Sequence, residues 1–344
     1  MTSQERRASV TELYAYAGLD PEAAALLGQS LSPRPRSMLM DVAASLGLGP
    51  GQVVLDAGCR DGRFAIPLVQ RFGCRVVGVD VVDAGFARGR ADAASAGASA
   101  AVSFVQGDLE ALPIGSGACD LVWCRDTLEH IGDPGGVLGE CHRVLRPGGG
   151  MLLHTAFATR LLEEHERARL FAALALSPAA MDRTMVEGAI AAAGFEVTGN
   201  DPIGGEWVEH DLEHDLEHGG DRVVASLLAV SRLVRARDRF LAALGPAWYE
   251  RLLAFEQWRL YLVLGKLETR VYRLARRRPG GPPWPTASSQ SGGAPPLASR
   301  SPTGPRSTAS CSTTSTDCRG DRGHVGADRD LARRARSSGH GTGH

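Results

Sequence analysis

Three aspartates each follow an apolar run: Asp56 after Val53-Val54-Leu55, Asp80 after Val76-Val77-Gly78-Val79, and Asp108 after the segment 102–107. Behind the first lies a glycine turn, Gly58-Cys59-Arg60-Asp61-Gly62. A strand that ends in an acid and turns through glycines into a helix lets backbone approach a ligand closely and presents free N–H groups to it. An acid about 20 residues further on, at the tip of the second strand, can accept from both hydroxyls of a ribose. The chemistry implied is retention of an adenosine-containing cofactor at the carboxyl edge of a parallel sheet. A second set, Asp126, His130 and His154, falls behind or near the end of later apolar runs and supplies candidate general bases. A base is needed only where an acceptor carries a proton at neutral pH. In Leu128-Glu129-His130-Ile131, the histidine reads more simply as a residue that packs and hydrogen-bonds its turn.

The elements that must hold these residues follow from periodicity. Strands are expected at 53–56, 75–80, 102–106, 120–125 and 150–155, with helices at 63–72, 84–96 and 134–145 between them. Short apolar strands alternating with helices imply a parallel sheet covered on both faces. Downstream, 160–174 and 181–193 read as helices, with Gly194 placed to end the second, and 195–198 as a strand. Two long helical patterns, 223–244 and 248–264, precede a last strand at 268–274. Asp20-Pro21-Glu22 is a helix start near the N-terminus, and 37–48 repeats apolar residues at helical spacing.

Composition narrows the class. The chain has 344 residues, 43% of them hydrophobic, and a formal net charge of -1, so a broad phosphate-binding surface is not expected. Seven cysteines occur without Cys-x-x-Cys pairs, which together with the lack of a leader suggests reduced thiols in a cytoplasm. No apolar run is long enough to span a bilayer, and no membrane partner is expected. Beyond Arg278, Pro, Gly, Ser, Thr and Arg dominate and apolar periodicity ceases, so 279–344 is expected to be disordered. The expected organisation is an N-terminal helical segment (1–50), a cofactor-binding core (51–200), a helical cover with the last strand (201–278) and the tail.

The stretch 54–62, Val77-Gly78-Val79-Asp80, 106–113, 119–131, 140–150 and 193–197 together, in that order, resemble class I S-adenosylmethionine-dependent methyltransferases, nearest to the small-molecule (type 11-like) branch. The resemblance implies a Rossmann-like α/β fold with a seven-stranded, mostly parallel sheet and an antiparallel last strand. It implies S-adenosyl-L-methionine as cofactor, with Gly58 and Gly62 bordering its methionine and ribose portions and Asp80 on the ribose hydroxyls. Val81 would flank the adenine, Asp108 would accept from its amino group and Leu109 would pack on its ring. Asp56 would order the glycine loop and the amino end, and Arg125 would sit near the methionine portion. Arg60 departs from the pattern, standing where most members have glycine; its guanidinium could crowd the cofactor, point outward or pair with the cofactor's carboxylate.

The expected activity is methyl transfer to a small-molecule oxygen, nitrogen or carbon nucleophile. A nucleic-acid methyltransferase fits the near-neutral charge less well, and a nicotinamide-dependent oxidoreductase does not account for Gly107-Asp108-Leu109. Two further features stand outside that motif set. Glu-His-Asp-Leu occurs twice in tandem, so that His210, His214 and His218 would form a stripe on a helix; an exposed, locally duplicated helix accounts for it, and no metal is expected. Glu206-Trp207 puts an aromatic beside an acid, which can shape a pocket for a cationic or aromatic acceptor. Trp248, Tyr249, Phe255, Trp258 and Tyr261 share one helical stretch that reads as a cover over the substrate crevice.

Overall fold

The computed structural model describes residues 4–7, 9, 25–215 and 222–277. The expected helix start at 20–22, His218 and the tail 279–344 lie outside the described residues. Seven strands form one sheet in the order β3-β2-β1-β4-β5-β7-β6. They are β1 (Val53–Ala57), β2 (Arg75–Asp80), β3 (Val102–Gln106), β4 (Cys119–Arg125), β5 (Leu145–Ala158), β6 (Glu196–Pro202) and β7 (Leu267–Ala275). The first five pair in parallel, and β7 lies antiparallel between β5 and β6. The seven-stranded arrangement with its one reversed strand matches the expectation.

The helices divide over the two faces. On one, α1 (Met38–Ser45) and α2 (Ala65–Phe72) pack on the sheet through Leu39, Val42 and Leu68 against Val54, Leu121 and Leu152. On the other, α4 (Pro134–Val144) and α6 (Arg183–Ala192) bury Val137, Leu138, Val186 and Ile190 against Leu55, Val122, Met151 and Tyr272. Central strands buried on both faces need apolar residues at consecutive positions, which is why Val53–Leu55 and Leu121–Cys124 read as unbroken runs. The helix α3 (Phe86–Ser95) covers the β2–β3 side, where Phe86 lies 5.3 Å from Phe104.

Beyond the carboxyl edge of the sheet, α5 (Glu164–Leu174) and α10 (Pro246–Val263) form a separate small core of Leu162, Leu170, Met181, Ala254, Tyr261 and Leu267. Lys266, the only lysine, is tied to Glu166 there. Between β6 and α10 run α7 (Glu206–Asp215), α8 (Arg222–Arg235) and α9 (Arg237–Leu244). The pattern expected as one helix over 223–244 is two, broken at Ala236 (φ -114°, ψ 36°). β5 is longer than expected because its partner β7 pairs with it from Gly150 to Ala158 and carries it past the parallel part of the sheet. Among the described residues no helix is long and apolar enough to cross a membrane.

Candidate cofactor and acceptor site

The tips of β1, β2 and β3 are stitched together by backbone hydrogen bonds. The N–H groups of Gly58 and Cys59 donate to the Val79 carbonyl at 2.8 and 3.2 Å, and Gly107 N–H donates to the Asp80 carbonyl at 3.0 Å. The Asp80 carboxylate accepts from Arg60 N–H at 2.8 Å and from Val82 N–H at 2.9 Å. The glycine turn is thus hung on the end of β2, which explains why acid and turn must occur together. Gly58 (φ 77°) takes a left-handed conformation, and a Cβ there would lie 2.3 Å from the Thr127 side chain. Gly62 (φ 70°) leaves room for the Phe104 ring, which a Cβ would meet at 2.5 Å.

Arg60 has φ 51°. The left-handed region explains why glycine suits this position, and a non-glycine residue pays about 1 kcal/mol for it. Its side chain is exposed.

Asp56 is 2% exposed and its Oδ2 has no hydrogen-bond partner. Burial first, then the nearby Asp80 and Asp61 charges, push its carboxyl up to about 7. An orphaned buried carboxylate oxygen beside a glycine turn is a socket for a cationic group. Val81 and Val82 are exposed apolar side chains directly behind Asp80, in position to lie against a flat ring. Asp108 caps the short turn 109–111, accepting from Glu110 N–H at 2.9 Å, and its side chain is otherwise open to solvent. Leu109 turns inward and joins the core with Leu112 and Val137.

A second cluster forms at the tips of β4 and β5. Asp126 follows β4 with φ 52°, and its backbone N–H donates to the His154 carbonyl at 3.1 Å. Its Oδ1 approaches His154 Nδ1 to 2.8 Å, without the alignment of a hydrogen bond, and its Oδ2 accepts from Arg125 Nε at 3.1 Å. The crowding around Asp126 would raise its carboxyl; His154, Arg125 and Arg36 outweigh that and hold it below the usual carboxylate range. Yet 58% of the side chain remains accessible, so this is a charged group with an open face.

His154 lies behind it, buried, and stacks on Trp207 with ring centroids 4.7 Å apart. The Arg125 guanidinium sits 4.4 Å from the Phe64 ring centroid and 5.5 Å from that of Trp207, and burial lowers its pKa. Arg36 covers Trp207 at 5.2 Å and pairs with Asp211 at 3.0 Å. Phe64, Arg125, Asp126, His154 and Trp207 therefore make one wall, locked from outside by the segment before α1. Arg34 strengthens that lock through three hydrogen bonds of 2.7 Å to Glu206, one from its backbone N–H and two from its guanidinium.

His130 is separate from this wall: its Nδ1 contacts the Ala175 carbonyl at 3.2 Å, the turn-holding role that is its simpler reading. Glu129, its neighbour, was not singled out from sequence. It is 3% exposed, its Oε1 accepts from Ala156 N–H at 2.6 Å, and burial together with the Asp126 charge raises it to about 7. Arg36 and Phe64 were missed as well, since nothing local in sequence marks a residue that acts by covering another. His210 and His214 stack on α7 with centroids 4.1 Å apart, and among the described residues no group of three or more acidic, His or Cys side chains is placed to hold a metal.

Comparison with known proteins agrees with this geometry. Residues 55–153 match the family model described as a methyltransferase domain. A ubiquinone biosynthesis O-methyltransferase of Pseudomonas paraeruginosa is 32% identical over 126 residues, which is 36% of this chain and 50% of that protein. The sterol 24-C-methyltransferase ERG6B of Gibberella zeae is 32% identical over 163 residues, 45% of this chain and 42% of the relative. The chain thus spans about half the length of the curated relatives it matches. Among solved structures, the cyclase SpnF superposes with a TM-score of 0.55 at 20% identity, covering 71% of this chain and 82% of the other. A sarcosine dimethylglycine methyltransferase of Galdieria sulphuraria gives 0.53 at 16% identity, covering 70% and 84%. The fold is of the methyltransferase type. Residues 55–153 are a class I, S-adenosylmethionine-dependent methyltransferase domain.

Proposed function

We propose that the protein is an S-adenosylmethionine-dependent methyltransferase acting on a small-molecule acceptor. The observation that carries the reading is the hydrogen-bonded frame joining three strand tips, each followed or ended by an acid: Asp56, Asp80 and Asp108. The residues present fit the cofactor. The unpartnered Oδ2 of Asp56 suits an ammonium group, the rim position of Asp80 suits a diol, and the bare valines 81 and 82 suit a ring face. Gly58 and Gly62 let the turn close tightly against Thr127 and Phe104 and bring its backbone up to the cofactor. Asp108 is the acceptor nearest the expected adenine edge, and Leu109 supports that edge from within the core. Arg125, held between two aromatic rings, supplies positive potential at the methionine end.

When bound, the cofactor supplies a sulfonium methyl that is already electrophilic. What remains for the chain is to align a nucleophile with it and keep water away. Asp126 is the exposed charged group beside that position. A carboxyl held this low is a weak terminal proton acceptor, so its part is to orient an acceptor O–H or N–H. His154, the other candidate base, lies buried behind it with Nδ1 2.8 Å from Oδ1 and holds that carboxylate in place. His130 contributes indirectly by fixing the turn after β4. In this reading the described residues of 1–50 close the site from one side, 51–200 holds the cofactor and the described residues of 201–278 supply the cover, with a small-molecule acceptor as partner and the cytoplasm as location.

Two measurements test it. Calorimetric titration with S-adenosylmethionine and, separately, with NADH should give heat only for the former. Incubation of the protein with methyl-labelled cofactor and cell extract should put label into a low-mass compound; label in RNA or DNA instead would overturn the acceptor class.

A further inference from the structure

The helix α8 is amphipathic twice over. One side is fixed inward: Leu233 packs with Tyr249 and Leu253, and Ser226 Oγ donates to Glu256 at 2.7 Å. Arg259 reaches the same Ser226 at 3.0 Å. The opposite side presents Val224, Leu227, Leu228 and Val234, which are 49, 52, 45 and 59% exposed. Their spacing places them in one stripe along the helix. The inward side already has its own apolar and polar contacts, so the stripe on the other side is more than a helix covering a core requires.

The charge around the stripe is mostly basic. From 224 to 244 the only charged residues are Arg232, Arg235, Arg237, Asp238 and Arg239, in a chain whose formal net charge is -1. Arg232, Arg235 and Arg239 are exposed and make no ion pair with an acid among the described residues. At the start of α10 the exposed Trp248 carries the Arg251 guanidinium 5.0 Å above its ring, and Phe255 is 56% exposed with Arg259 at 5.5 Å. Exposed aliphatics, flanking arginines and an arginine-backed tryptophan are the constituents of an element that lies in a lipid headgroup layer.

We propose that the exposed face of α8 is a docking surface for an anionic membrane, on which the protein rests without spanning it. The charge selects this occupant over a second copy, since two α8 faces brought together would oppose arginine to arginine. The proposal revises the expectation of no membrane partner, which rested on the lack of a spanning segment; interfacial docking needs none. It stands independently of the reaction catalysed.

The test is co-sedimentation of the full chain with vesicles of about three parts phosphatidylcholine to one of phosphatidylglycerol, against pure phosphatidylcholine. The expected result is binding to the anionic vesicles that falls with added salt, and an about tenfold loss of partitioning in the double variant Leu227→Glu/Leu228→Glu. Arg232→Glu/Arg235→Glu should weaken it by a similar factor. Both pairs are exposed, so thermal melting of the variants should match the parent, which separates loss of docking from loss of fold. Binding that survives both variants would place any membrane affinity elsewhere in the chain and overturn the proposal. So would equal binding to neutral vesicles, or a dimer in light scattering that the leucine variant dissolves.

Discussion

The β1–β3 half of the site and the β4–β5 half are built on opposite plans. In the first, every residue of interest lies within five positions of a strand tip, and the tips are bound to one another by backbone. In the second, Arg36, Phe64, the pair Arg125-Asp126, His154 and Trp207 converge from five separate segments and are held by rings, charges and burial. A backbone frame tolerates variation in the side chains around it. A wall of interlocked side chains does not, and any change in its shape changes what it accepts. On the proposed function, cofactor retention falls mainly to the first half and acceptor choice to the second.

The sharpest way to break that division is to damage each half in turn. Trp207→Ala should cost about 3–4 kcal/mol in stability, since it removes a buried ring on which His154, Arg36 and Arg125 all lean. In chemical denaturation below its new midpoint, the folded variant should keep cofactor affinity within about threefold and lose most turnover. Asp80→Ala should do the converse, lowering cofactor affinity about 100-fold in calorimetry through two lost charge-assisted hydrogen bonds. Equal losses of both properties in both variants would mean that the halves act as one unit.

The buried carboxyls give a pH signature. Asp56 and Glu129 are each raised to about 7 in the folded state, so the native protein binds protons that the unfolded chain releases above its ordinary carboxylate range. The stabilisation from these protons is complete below about pH 4 and is lost as pH rises through about 7. In the cofactor-free protein Asp56→Asn should therefore gain about 1–2 kcal/mol over the parent at pH 8 and little at pH 5, as urea titrations at the two values would show. The same substitution should weaken cofactor binding, because the amide has no charge for the ammonium group.

Arg60→Gly is the mildest change. Relief of the positive φ should stabilise by about 0.5–1 kcal/mol, read as a rise in the melting temperature, with cofactor affinity unchanged because the side chain already points to solvent.

The two halves also differed in how far sequence revealed them. Strand–turn–acid units repeat a local grammar: an apolar run must be buried, glycine must turn, and the acid must sit at the tip, so Asp56, Asp80 and Asp108 could be placed from composition and spacing alone. His154 and Asp126 were found as strand-end residues, but their 2.8 Å approach depends on β4 and β5 being neighbours in register, Arg125 beside His154. Arg36 and Phe64 gave no signal, because their partners lie far along the chain. Trp207 was noticed for its acid neighbour; in the fold that acid, Glu206, turns away to hold Arg34. The reading of 223–244 as one helix failed because Ala236 is a good helix former, so nothing local marks the break.

The placement of β7 has a consequence for how the molecule comes into being. This strand, Leu267–Ala275, is wedged between β5 and β6 and pairs with both, along nine positions of the former. Until those residues leave the ribosome, β5 and β6 are not neighbours, and each holds an unpaired ladder of backbone groups open to whatever strand it meets. More than a hundred residues separate the end of β5 from the beginning of its partner. The nascent chain must therefore guard two sticky borders through a long wait, and sealing them falls to one of the last parts of the sheet to be synthesised.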